Sequence, residues 1–116
     1  MNRLMLAART AMANTAVTVV DMEGELDITT AIDFDSFLKE LINQKRHKLV
    51  LNMNRLNYIS SSGFGTLTSV TQNVRNNKGD IKIANVTLDV YETFNTLEFH
   101  KIFQILKTED DAVREF

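Results

Sequence analysis

Three consecutive apolar residues, Leu49, Val50 and Leu51, constrain the fold of this chain more than any other feature. A strand buried on both faces shows an unbroken apolar run, whereas a half-exposed strand alternates apolar and polar residues. Such a strand needs neighbours on both sides and helices over both faces of its sheet. The run therefore predicts an α/β domain in which this segment is the central strand.

Strand-like and helix-like segments alternate through the rest of the 116-residue chain. Further strands are predicted around residues 3–8, 16–22, 81–86 and 103–106, the first two forming a hairpin. Helices are predicted around residues 27–44, 60–76, 90–97 and 112–116, with a polar turn at residues 54–57. This alternation is typical of one α/β domain, so we expect residues 1–116 to form a mixed sheet of four or five strands with helices packed on it.

The first two predicted helices carry the clearest signals. Apolar residues recur every three or four positions from Ile28 onwards and again from Phe64 onwards. Thr30 and Asp33 form a weaker version of the capping box at the start of the first helix. We expect both Phe34 and Phe64 to lie in the core.

Composition excludes several classes of function. The chain has no cysteine, so disulfides, thiolate zinc sites and thiol nucleophiles are impossible. Its net charge of -2 argues against a nucleic-acid partner. The apolar run at residues 4–8 is shorter than the about 7 to 15 residues of a signal peptide core and the about 20 of a membrane helix. We expect a cytoplasmic protein that binds neither nucleic acid nor membrane.

A run of three serines, residues 60–62, precedes Gly63 at the start of the second predicted helix. The simplest interpretation is capping, in which Ser61 or Ser62 accepts a hydrogen bond from a first-turn amide, worth about 1 kcal/mol. Unpaired amides and positive potential at a helix start also suit a phosphorylation or anion site. A nucleophilic serine is disfavoured, because the hydrolase elbow has glycine two residues before the serine and Ile59 stands there.

Catalysis is not expected elsewhere in the chain either. His47 lies in a basic turn and His100 near a helix end, and each is better explained as a solvated side chain than as a base. Gly63 and Gly65 do not complete a phosphate-binding loop. We therefore expect a protein that is not an enzyme and holds no cofactor of its own.

Six acidic residues with no basic residue among them lie between residues 21 and 35; they are Asp21, Glu23, Glu25, Asp27, Asp33 and Asp35. Their spacing does not fit the calcium loop of an EF-hand, and the two histidines cannot build a metal site alone, so no metal is expected. The favoured interpretation is a solvated strand edge. The acids also form a patch that could meet a basic surface on a partner.

Two stretches together form a specific pattern: Gly-Glu-Leu-Asp at residues 24–27 leading into a helix, and residues 49–67 from the buried strand through the serines to Gly63, Phe64 and Gly65. The pattern resembles the STAS domain, and within it the bacterial anti-sigma factor antagonists. The order of elements matches that family over nearly the whole chain.

The resemblance implies a binding module. The serine phosphorylated in the family falls on Ser61, and the implied partner surface comprises Gly24, Glu25, Asp27, Ser60, Ser61, Ser62, Gly63 and Phe64. The unphosphorylated protein would bind an anti-sigma factor serine kinase, which alone holds ATP, and so free a sigma factor. A phosphate on Ser61 adds about -1.5 to -2 charges, which disfavours an interface fitted to a neutral hydroxyl.

Two positions depart from the family's pattern. Ser60 replaces the acid before the phosphoserine, and Asn52 replaces the acid that ends the buried strand. Both changes are expected to remove negative charge beside Ser61. They keep an alternative open, a STAS adaptor subunit of a transporter or signalling scaffold that uses the same face without phosphorylation.

Overall fold

A computed structural model describes residues 3–116, apart from the side chain of Phe99. Strands and helices alternate along it, as the sequence predicts, with a short 3-10 turn at Phe99–Lys101. The strands are β1 (Leu4–Thr10), β2 (Thr18–Leu26), β3 (Lys48–Ile59), β4 (Asp80–Ala84) and β5 (Gln104–Leu106). The helices are α1 (Ala31–Asn43), α2 (Ser61–Asn76), α3 (Leu88–Thr96) and α4 (Glu109–Arg114).

The five strands form one mixed sheet in the order β1-β2-β3-β4-β5. β1 and β2 form the expected antiparallel hairpin, and the other neighbouring strands are parallel. The predicted central position of β3 is therefore confirmed, and Val50 is fully buried.

Helices cover the two faces of the sheet unequally. α1, α2 and α3 pack on one face and form the larger core, in which Phe34 and Phe64 are fully buried as expected. The ring of Phe94 meets that of Phe64 edge to face at 4.7 Å between centroids, a favoured aromatic geometry. On the other face a smaller core forms under α4, which contributes Ala112 and Val113. No helix in the described part of the chain combines the length and apolar character needed to span a bilayer.

The polar turn expected at residues 54–57 is wrong, because β3 continues unbroken to Ile59. β4 pairs with only the first part of β3, from Lys48 to Asn52, whereas β2 pairs with β3 as far as Ile59. The later half of β3 therefore has no strand partner on its β4 side among the described residues. Its polar side chains are those of a strand that extends beyond its neighbour.

The capping box expected from Thr30 and Asp33 is also not formed. Thr30 precedes α1, but its hydroxyl donates to the backbone oxygen of Glu25 at 2.9 Å and makes no cap hydrogen bond. Ile28 lies before the helix and is 70% exposed, so it is not part of the buried stripe. The helix begins at Ala31 because the preceding residues form a separately hydrogen-bonded loop.

Candidate functional site

Ser60 joins the end of β3 to the start of α2. Its backbone is extended, and its hydroxyl accepts a hydrogen bond from the Gly63 amide at 3.0 Å. The Ser60 amide in turn donates to the Leu26 carbonyl at 2.9 Å, which fixes the start of α2 to the end of β2. The expectation that Ser61 or Ser62 caps this helix is therefore wrong, because the residue just before the first helical residue is the one positioned to cap it.

Ser61 and Ser62 are both exposed but face different grooves. Ser61 lines a groove between the start of α2 and α3, together with Tyr58, Asp89 and Glu92. Ser62 lines a groove between α2 and α1. The Ser61 hydroxyl makes no hydrogen bond to any residue that the structure describes, so it is available for chemistry that Ser60 cannot undergo without losing the cap.

The groove beside Ser61 contains features that sequence reasoning missed. Tyr58 is 51% exposed, and Asp89 and Glu92 extend from α3 without belonging to any of the ion pairs among the described residues. The acids are three residues apart on a helix whose buried residues are Val90 and Phe94, so their shared exposed face could have been found from helical periodicity. Negative charge in the groove beside Ser61 therefore comes from α3.

Gly63 allows α2 to approach the end of β2 closely. A β-carbon at this position would lie 2.6 Å from the Leu26 carbonyl oxygen and 3.2 Å from Cγ1 of Ile59. Both distances are shorter than ordinary contacts, and the nearer atom belongs to the backbone. A glycine is thus required where the serine-bearing helix meets the loop that follows β2.

Gly24 is required for a different reason. Its φ angle is +114°, in the region that favours glycine, and a β-carbon would lie 2.0 Å from the Arg3 carbonyl oxygen. The next residue, Glu25, donates its amide to that same oxygen at 2.7 Å. The backbone entering the loop is therefore fixed in place, and the Glu25 side chain is exposed.

Asp27 organises the rest of this loop. Its carboxylate accepts hydrogen bonds from the Thr29 hydroxyl at 2.7 Å, the Thr29 amide at 2.9 Å and the Thr30 amide at 3.1 Å. These hydrogen bonds hold the pKa of Asp27 below its ordinary value, and the bond from the Thr29 hydroxyl has the largest effect. The aspartate of the Gly-Glu-Leu-Asp stretch thus holds its own loop in shape through hydrogen bonds within the loop.

The expected partner surface divides into exposed and supporting residues. Glu25, Ser61 and Ser62 are exposed, while Gly63 and the side chain of Phe64 are buried. Phe64 packs against Phe94, so in this conformation it positions the helix and presents no surface to a partner.

The six acids between residues 21 and 35 do not form one solvated edge, since β2 is an inner strand. Three of them form ion pairs, namely Arg9–Asp21 at 2.8 Å, Arg55–Glu23 at 3.8 Å and Lys39–Asp35 at 2.9 Å. Within residues 3–116, no group of acidic and histidine side chains is arranged to hold a metal ion.

Asn52 lies far from Ser61, contrary to expectation. Its side-chain amide donates to Glu109 of α4 at 3.1 Å, on the face of the sheet opposite α2. Asn52 pairs with Asp21 of β2 and Ile59 pairs with Leu26, so five strand positions of β2, or about 17 Å, separate the level of Asn52 from the end of β3. Its effect on charge beside Ser61 is therefore small, and its local role is to pair with Glu109.

Comparison with known proteins identifies the pattern around these residues. The family model of the STAS domain matches residues 9–112. A curated relative from Bordetella bronchiseptica, provisionally named anti-sigma factor antagonist BtrV, is 24% identical over 95 residues, which cover 82% of each chain.

Solved structures share the fold. An anti-sigma factor antagonist from Mycobacterium paratuberculosis aligns with a TM-score of 0.84 at 18% identity, covering 97% of this chain and 92% of that one. The antagonist SpoIIAA of Bacillus, in its phosphorylated form, aligns with a TM-score of 0.66 at 20% identity, covering 94% of this chain and 98% of that one. A sulfate transporter family protein from Wolinella succinogenes aligns with a TM-score of 0.76 at 16% identity, covering 90% of this chain and 91% of that one. At such identities the likeness shows the fold alone.

Proposed function

Because the chain belongs to the STAS domain family, we propose that it is an anti-sigma factor antagonist regulated by phosphorylation of Ser61. In its unphosphorylated form it binds an anti-sigma factor serine kinase, and the kinase then releases a sigma factor. The kinase holds ATP, so this chain is a ligand and a substrate and catalyses nothing itself. We place it in the cytoplasm, where it binds a protein partner and binds neither nucleic acid nor membrane.

The observation that carries this proposal is that the serines at the start of α2 have different structural roles. Ser60 is committed to the helix cap, whereas Ser61 presents an exposed hydroxyl at the first position of α2. A group at this position can be modified without breaking a hydrogen bond that holds the fold. The helix start that carries it is held against the end of β2, because Gly63 fits closely against Leu26.

The charges around Ser61 support a switch. The first turn of α2 contains no acidic residue, so a phosphate there would meet the positive end of the helix. On its other side the phosphate would share a groove with Asp89 and Glu92 of α3, adding like charge to an already negative surface. A partner surface fitted to the unmodified groove would therefore lose affinity for the phosphorylated protein.

Relatives give independent support. BtrV carries the name of an anti-sigma factor antagonist, and SpoIIAA is known in both unphosphorylated and phosphorylated forms. A protein that shares this fold is therefore known to exist in a phosphorylated form, and phosphorylation of Ser61 in this chain is our proposal.

The alternative is an adaptor subunit that uses the same face without phosphorylation. It is favoured by Ser60, which replaces the family's acid beside the acceptor, and by the likeness to a sulfate transporter family protein. The two proposals differ in whether the bound partner transfers phosphate to this chain.

Capture of the partner from the native host is the first test. The tagged protein should retain an anti-sigma factor with a serine kinase domain, identified by mass spectrometry. Retention of a transporter or scaffold protein, with no kinase and no phosphate on Ser61, would favour the adaptor.

Variants at Ser61 test the switch with the captured partner. Ser61→Asp should weaken binding, because a carboxylate brings charge and bulk to a site fitted to a hydroxyl, whereas Ser61→Ala should bind like the wild type. Ser36→Asp is the matched control, since Ser36 is an exposed serine on α1. Equal loss of affinity in Ser61→Asp and Ser36→Asp would show that added charge alone, wherever it lies, weakens binding.

A further inference from the structure

β1 is the outermost strand on its side of the sheet, and its pairing with β2 fixes which backbone groups face outwards. The Glu25 amide donates to the Arg3 carbonyl, and the Ala11 amide donates to the Val17 carbonyl, each across directly opposed residues. Opposed residues in an antiparallel pair alternate between hydrogen-bonded and non-hydrogen-bonded. The odd-numbered residues of β1 therefore bond to β2, and the even-numbered ones direct their amides and carbonyls away from it.

Four residues present these outward groups: Leu4, Leu6, Ala8 and Thr10. Among the described residues, no other segment pairs with this edge. Edge strands are usually protected by proline, by charges, by bulges or by being short. β1 has seven residues and contains neither proline nor a bulge, and its single charged residue, Arg9, is held by Asp21 and Glu109.

The sequence of β1 is compatible with pairing to itself. An antiparallel pair centred on Ala7 opposes Leu6 to Ala8 of the second copy and Leu4 to Thr10, so the outward amides and carbonyls meet in register. In the same register Arg9 opposes Met5, which is 65% exposed, and never faces the Arg9 of the second copy. The full-length overlap thus satisfies the open hydrogen bonds without placing like charges opposite each other.

We infer that β1 is a homodimerisation edge, along which two copies of this chain join their sheets by antiparallel β1–β1 pairing about a two-fold axis at Ala7. The contact extends over seven residues a side, which is at the small end of specific interfaces, so the dimer forms at high protein concentration. This inference does not depend on the proposed function, because it uses none of the groups around Ser61.

Ala7→Lys tests the axis directly. Within one copy, a lysine at residue 7 lies opposite Asp21, which is compatible with the monomer fold. Across the two-fold axis it faces the equivalent lysine of the second copy, and these like charges repel. Sedimentation equilibrium should show a concentration-dependent dimer for the wild type and a dissociation constant raised roughly fivefold or more for Ala7→Lys. Ala16→Lys is the control, since it adds the same charge at an exposed alanine in the turn of the same hairpin and should dimerise like the wild type.

A second readout is residue-specific and needs no variant. Hydrogen exchange should slow at the amides of Leu6, Ala8 and Thr10 as concentration rises, while those of Ala7 and Arg9 stay protected throughout. Three results would each overturn the inference. They are a wild type that is monomeric at every concentration, a dimer that Ala7→Lys leaves intact, and exchange rates at Leu6 and Ala8 that do not change with concentration. Ser61→Asp should leave dimerisation unchanged, so failure of the switch and failure of the edge are separate results.

Discussion

Replacement of Gly63 by alanine should destabilise the fold, although alanine is the better helix former. The new methyl group would lie 2.6 Å from the Leu26 carbonyl oxygen and 2.9 Å from Cγ of the same residue. A backbone oxygen cannot rotate away, so α2 or the loop after β2 must shift. Overpacking of this kind costs about 1 to 3 kcal/mol, more than the helix preference of alanine returns in a first turn.

Gly65→Ala is the matched control in the same helix. Apart from its chain neighbours and the nearby backbone of its own helix, no atom lies within 4 Å of a β-carbon at residue 65, so alanine there should raise the free energy of unfolding by about 0.5 to 1 kcal/mol. In thermal melts followed by circular dichroism, the Tm should fall for Gly63→Ala and rise for Gly65→Ala, by about 4 °C per kcal/mol for a domain of this size. A Gly63→Ala variant that melts at or above the wild-type temperature would refute the close approach of α2 to β2.

Three further predictions concern single side chains. Ser60→Ala should lower the free energy of unfolding by about 1 kcal/mol through loss of the cap, while Ser60→Asp should preserve it, as measured by urea unfolding. Phe94→Ala should cost about 3 to 5 kcal/mol, because the ring is fully buried against Phe64, and the loss should appear in the same urea measurement. Hydrogen bonds from Arg9 lower the pKa of Glu109, so its contribution to stability is complete above its ordinary pKa and is lost as pH falls through the lowered value. Glu109→Gln should therefore weaken the acid dependence of the Tm.

The fold was predictable where burial alone determines it. The unbroken apolar run at residues 49–51 placed the central strand correctly, and the apolar period after residue 64 placed α2. These signals are local, because a residue buried on a strand or helix must be apolar whatever its exact neighbour is. The resemblance also named Ser61, which the structure places at an exposed helix start.

What the sequence could not supply depends on distant partners. Residues 54–57 look like a turn until β2 is seen to pair with Arg55 and Leu56. The effect of Asn52 in place of the family's acid could be judged only once Glu109 was known to lie beside it. The cap was misassigned because it depends on where α2 begins, and the helix begins at Ser61, which makes Ser60 the capping residue. The first two contacts join distant parts of the chain, whereas the cap depends on the exact residue at which one helix begins.

Phosphorylation of the purified protein by its captured kinase tests the central claim most directly. With ATP present, mass spectrometry should find one phosphate, on Ser61, and the modified protein should no longer bind the kinase; Ser61→Ala should bind and take up no phosphate. Labelling of Ser62 would move the acceptor by one residue and to the other groove. Persistent binding with no phosphate on any serine would contradict the switch and leave the adaptor in its place.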